Sequence, residues 1–245
     1  MKTFFLGIFF LFINFANAQI LESFPQDQDY YEGGVSKLYQ EINRIIHHKN
    51  LKPCDSKKEV YEAKLLLTKD SKLKFITDFD TVNITKNKCA YELTLDLLKE
   101  LKNEKSWKPA VVKDVKYDAI VRLFIVPSHL FGSYKDSYNP YQYYIPATYK
   151  GGEKKLNKDV HDNFMSIFED YHVNGSIYLD FVVDENGEII NPILSPDINN
   201  ADFKKEIFRT LKRMNGKWNP AYLDGIAIKQ KKSLPLKFSV SFNER

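Results

Sequence analysis

A chain of 245 residues with 43% hydrophobic and 14% aromatic side chains carries enough apolar surface to bury a core, which excludes intrinsic disorder as its native state. The length fits one or two domains. Its 36 Lys and Arg stand against 32 Asp and Glu, a formal charge of +4, and so mild an excess points away from nucleic acid as a partner.

The first eighteen residues, MKTFFLGIFFLFINFANA, set Lys2 before an apolar stretch from Phe4 to Ile13 and end on Ala16-Asn17-Ala18. A charged start, a short apolar run and a small-x-small end form the pattern of a cleaved export signal, with cleavage expected after Ala18. A membrane-spanning helix needs about 20 apolar residues, and polar Asn14 interrupts this run. Losing Lys2 lowers the formal charge from +4 to +3, and the mature chain is expected to be soluble and exported. Export permits a disulfide between Cys54 and Cys89, the only cysteines; two buried thiols are the alternative.

The phrase Tyr31-Glu32-Gly33-Gly34 opens the first periodic segment, in which Leu38, Ile42, Ile45 and Ile46 recur at helical spacing. Ala63 to Leu67 and Leu73 to Ile76 read as a hairpin around Thr68 to Lys72, and Leu93, Leu97 and Leu101 mark a second helix. Trp107-Lys108-Pro109-Ala110 follows, then a β-rich run from Ala119 to Val126. These elements fill a first domain, 19–130. Residues 131–146 are rich in Tyr and Pro and have no helical or strand period. They are expected to form a linker that packs its rings on its neighbours.

A second domain, 147–245, repeats the order. Tyr149-Lys150-Gly151-Gly152 precedes a helix carrying Val160, Phe164 and Ile167. Ile177, Leu179, Phe181 and Val183 then alternate with Tyr178, Asp180 and Val182 as a half-buried strand. Asn186-Gly187 supplies the positive φ for a tight turn, Ile189 to Leu194 returns, and Phe203, Ile207, Leu211 and Met214 form the second helix. Trp218-Asn219-Pro220-Ala221 repeats the earlier Trp phrase. Lys229-Gln230-Lys231-Lys232 reads as a solvated turn, and Leu234 to Phe242 as the closing strand. Proline cannot continue a helix, so Trp107 and Trp218 are expected to plug the space between a helix end and the sheet.

The second copy resembles the periplasmic C-terminal domain of TonB-type energy transducers. The resemblance rests on Tyr149-Lys150-Gly151-Gly152, the strand and turn from Phe181 to Ile189, Trp218-Asn219-Pro220-Ala221 with Gly225 behind it, and Pro235-Leu236-Lys237-Phe238. The first copy looks like a degenerate relative, keeping Gly-Gly and Trp-x-Pro-Ala but losing the Asp-x-x-Gly turn and Pro-x-x-Phe. The resemblance implies an α+β fold in which each of two tandem domains is a three-stranded antiparallel sheet with two helices on one side. It also implies a periplasmic protein that binds an extended segment of an outer-membrane receptor, or another envelope protein, as an added strand in TonB-linked transmembrane transport. The binding strand would be Lys237, Phe238, Ser239, Val240 and Ser241. Gly151, Gly152, Asn186, Gly187, Trp107, Pro109, Trp218 and Pro220 would be structural. A transducer carries an uncleaved membrane anchor and a long Pro-rich arm; neither is seen here, so a soluble binder is expected rather than a transmitter of force. A homodimer is left open.

No nucleophile elbow, phosphate-cradling loop or metal-protease spacing occurs, and neither a cofactor nor a metal is expected. Glu169 and His172 stand one helical turn apart without a second histidine at metal-binding spacing. The competing reading is an envelope hydrolase or carbohydrate-binding protein that uses the Tyr-rich segment and a site at His161 and His172. The sequons at Asn83 and Asn174 are read as chance.

Overall fold

The structure, a computed structural model, describes residues 20–172 and 175–238. The export signal, the sequon at Asn174, and the expected binding residues Ser239, Val240 and Ser241 lie outside the described residues. The chain divides into two compact units between Asn139 and Pro140. Among the described residues no helix is long and apolar enough to cross a membrane.

The first unit runs β1 (Ile20–Leu21), α1 (Gly34–His48), β2 (Tyr61–Leu67), β3 (Leu73–Phe75), α2 (Thr81–Lys86), α3 (Lys88–Leu101), β4 (Ala110–Val112), β5 (Val115–Ile125) and α4 (Pro127–Gly132). The helical stripe of α1 and the buried row of α3 close over Ala63, Leu65, Leu67, Val121, Leu123 and Ile125, so both helices share one core with one face of the sheet. The expected three-stranded sheet is in fact five-stranded, in the order β1-β5-β2-β3 with β4 also on β5. The reason is the length of β5. It extends beyond its pairing with β2, so β4 folds back on its first residues and β1 lies parallel to it at Asp118 and Ala119. Cys54 and Cys89 are bonded, tying the loop after α1 to the first turn of α3. A disulfide suggests an oxidising, extracytoplasmic compartment.

The second unit opens with a 3-10 turn at Pro140–Tyr143. It continues with β6 (Tyr144–Ile145), β7 (Thr148–Tyr149), α5 (Gly152–Asp170), β8 (Gly175–Val183), β9 (Ile189–Ser195), α6 (Ala201–Lys212), β10 (Trp218–Asn219), β11 (Ala221–Leu223), β12 (Ile226–Ile228) and β13 (Gln230–Phe238). Its main sheet is three-stranded and antiparallel, in the order β13-β8-β9. Ile177, Leu179, Phe181 and Val183 face Phe164, Phe168, Phe203, Ile207 and Leu211, so α5 and α6 pack on one face. The opposite face is open at Tyr178 and Ile193, 47% and 61% exposed. Residues 131–146 divide between the units. Phe131, Tyr134 and Tyr138 pack on the first core and Tyr144 on the second.

Two local readings change. The closing strand begins at Gln230, not Leu234, so Gln230, Lys231 and Lys232 are not in a turn but pair with Val183, Val182 and Phe181. The reversal happens earlier, where Asp224 and Gly225 both take positive φ, 50° and 74°, the pair that a two-residue hairpin requires. In the β8–β9 turn, positive φ falls on Gly187 alone. Asp184 organises that turn, its carboxylate accepting from the N–H of Asn186 at 2.9 Å and of Glu188 at 2.8 Å.

The repeated phrases meet in space. In the first unit Tyr31 bridges Trp107 and their rings stand edge to face at 5.0 Å; in the second, β7 pairs with β10 so that Tyr149 lies opposite Trp218, rings edge to face at 5.2 Å. Both indoles are buried, at 2% and 3% exposure, each within the core of its own unit. Gly33 and Gly151 sit left-handed just before the helices they open, at φ 81° and 95°. The glycine of the second hairpin has a different reason: a Cβ on Gly187 would lie 2.3 Å from the Trp218 carbonyl. The Asp184–Gly187 turn therefore rests directly against the Trp218-Asn219-Pro220 segment, and only glycine fits there.

Candidate partner-binding edge

In the three-stranded sheet β13 pairs with β8 on one side, and among the described residues no strand pairs with its other side. The register fixes which backbone groups face outward. Pro235 lies opposite Tyr178 and has no N–H to donate, so it occupies a position that turns away from β8. Leu234 and Leu236, opposite Leu179 and Ile177, therefore carry the ladder bonds. Alternation then points the N–H and C=O groups of Lys231, Ser233 and Lys237, and the Pro235 carbonyl, to the open side. An edge is also where a strand tolerates proline.

Side chains follow the same alternation. Leu236 is buried, Leu234 and Lys232 are half-buried on the helix side, and Lys231, Ser233, Pro235 and Lys237 are exposed on the other face. Lys231 meets Asp180 on β8 at 3.3 Å. Lys232 has its ammonium 6.0 Å from the centre of the Trp218 ring, and burial pushes its pKa down. Of the expected binding residues, Lys237 and Phe238 are the last two of β13 as described. The lysine run disguised the start of the strand, so Lys231 and Ser233 were not expected in the outward row.

A buried carboxylate holds the frame beneath this sheet. Asp159 on α5 accepts from Lys155 Nζ and from the Tyr149 hydroxyl, each at 2.6 Å, and from Lys217 Nζ at 3.2 Å. These partners, Lys155 foremost, hold its pKa far below the usual carboxylate range, while burial and the Asp159 carboxylate push the Tyr149 hydroxyl well up. The cluster joins the Tyr-x-Gly-Gly phrase, the helix it opens and the residue before Trp218. With three donors converging on one carboxylate, it is a structural clasp.

His161 is exposed along α5 and His172 is exposed just past its end, while His129 contacts the Tyr138 hydroxyl at 3.2 Å in the first unit. Among the described residues the one acidic, His or Cys group with metal-site spacing is Cys54, Glu59 and Cys89, and both its sulfurs are committed to the disulfide. An open polar groove runs between α5 and α6, bordered by Asn163, Asp170, Glu206 and Arg213. Searches against protein-family models, curated proteins and solved structures return no match to the chain.

Proposed function

We propose that the chain is a non-catalytic binding protein of the cell envelope that captures an extended segment of another envelope protein as a strand on β13. Resemblance to the TonB C-terminal domain makes the periplasm its compartment and an outer-membrane receptor its partner. One observation carries the reading. In the first unit the closing strand β5 already has a strand, β1, laid on its outer side, while its counterpart β13 presents that side without one among the described residues. A sheet edge with unpaired donors and acceptors is a template for strand addition, and the parallel β1–β5 pairing makes parallel addition to β13 the expected orientation.

Ser233→Pro tests the proposal. The substitution removes one outward N–H and leaves the ladder to β8 intact, so affinity for a periplasm-facing receptor peptide should fall about 3- to 10-fold, one hydrogen bond's worth. Titration calorimetry with a circular-dichroism check of folding measures it. Undiminished binding by the folded variant would move the site off β13.

A further inference from the structure

Lys232 stands where the first unit has a core residue. It lies fourteen positions beyond Trp218, as Val121 lies fourteen beyond Trp107, and the two Trp phrases and following hairpin turns align without a gap. Val121 is buried at 2% exposure. In the helix-facing row of the closing strand, the first unit therefore reads Ala119, Val121, Leu123, Ile125, and the second reads Gln230, Lys232, Leu234, Leu236. An ammonium has replaced an apolar core side chain. Its stem packs inward with the ring face of Trp218 beneath the charge, a cation–π contact that offsets part of the desolvation. No carboxylate lies within ion-pair distance of Lys232 among the described residues, whereas its neighbour Lys231 has Asp180. Burial is the sole cause lowering its pKa. A half-buried cation without an acidic partner is costly, and this one sits on the strand whose outer side is open.

We propose that Lys232 is a specificity residue of the capture edge, receiving a carboxylate side chain from the segment that pairs with β13. This rests on the capture reading above. A strand added to β13 places every second side chain on the helix-facing side, and the one next to Lys232 comes within cross-strand reach of its ammonium. The preferred segment is therefore an extended stretch with an acidic residue beside Lys232. Its apolar side chains on the same face would continue the row of Leu234 and Leu236. The exposed lysines 231 and 237 on the other face add attraction of the same sign.

The probe is an acetylated, amidated octapeptide of alternating threonine and valine, with one glutamate walked through its positions, and a matched set carrying glutamine. Both sets are titrated into the exported full chain. At one position, glutamate should bind about fivefold more tightly than glutamine, the scale of a favourable cross-strand charge pair. Lys232→Met, which keeps the packing on Trp218, should erase that preference and leave glutamine peptides bound as before; Lys232→Arg should restore it. The Lys232 ammonium pKa, followed by NMR, should rise when the glutamate peptide binds. A glutamate preference that survives Lys232→Met overturns the proposal, as does equal binding of both sets by the wild type. If neither set binds, the capture reading falls and this inference with it. A merely structural lysine would shift the melting curve of Lys232→Met without changing the glutamate-to-glutamine ratio.

Discussion

The two units use the same phrases to build the same frame and then finish its edge differently. Each sets a Tyr-x-Gly-Gly turn against a Trp-x-Pro-Ala segment, packs two helices on one face of a sheet, and sends the chain back through a two-residue hairpin into the closing strand. In the first unit that strand is lined inward by Ala, Val, Leu and Ile and carries β1 outside. The disulfide adds a covalent tie. In the second, the inward row includes Lys232, the outward row includes Pro235, and no strand is added among the described residues. One copy has invested in closure and the other has kept a polar, open edge. A sheet needs only one buried face to be stable, so the edge is the part free to diverge.

The largest test of this comparison concerns the indoles that both units share. Trp107→Ala and Trp218→Ala should each cost about 3–5 kcal/mol, the range for truncating a large aromatic in a core. Each loss should be confined to its own unit. With one tryptophan per unit, the remaining indole reports on the intact half by fluorescence during denaturant unfolding. The Phe variants sharpen the test: Trp107 donates from Nε1 to the Leu101 carbonyl at 2.8 Å, while the buried Trp218 Nε1 finds no acceptor among the described residues. Trp107→Phe should therefore cost about 1 kcal/mol more than Trp218→Phe.

Next comes the covalent tie. Cys54→Ser with Cys89→Ser opens a loop with a sequence separation of 35 and should lower the stability of the first unit by about 4 kcal/mol on the chain-entropy estimate. The second unit, followed through Trp218 in a Trp107→Phe background, should unfold at an unchanged denaturant midpoint. A shared loss would mean that the two units fold as one.

Acid should also divide them. The depressed pKa of Asp159 means that its clasp contributes stability above the ordinary carboxylate pKa and loses it as the pH falls below about 4 toward the lowered value. Asp159→Asn should destabilise the second unit at pH 7, and the gap between variant and wild type should narrow by pH 3. Denaturant midpoints read through Trp218 at both pH values measure this.

The smallest expected change in stability tests the edges themselves. Beginning the chain at Glu22 removes β1, a two-residue strand with Ile20 48% exposed, and should cost roughly 1 kcal/mol or less. It should also give the first unit a peptide-binding edge that the wild type lacks, visible as a second site in the octapeptide titration. A single site in the shortened chain would mean that β1 does not guard β5.

The sequence by itself determined the elements whose signals are local. The alternation from Ile177 to Val183 specifies a half-buried strand, and the apolar spacing of Leu38 to Ile46 and Phe203 to Leu211 specifies two helices. The repeated Trp phrase singled out the two indoles, because a large aromatic side chain recurring in one phrase points to matching places in two cores. What only the tertiary structure decided involves partners distant in sequence. Alternation cannot say which strand lies at the edge, since β5 and β13 hold the same place in the chain order, yet among the described residues only β5 takes up a further strand, β1. Nor could it reveal that Gly187 is required by the Trp218 carbonyl, or that Cys54 and Cys89 come within bonding reach. Lys232 looked like part of a solvated turn because its burial comes from Trp218, a residue brought beside it by the hairpin between them. Local periodicity fixes which way a side chain points; long-range pairing fixes what it meets there.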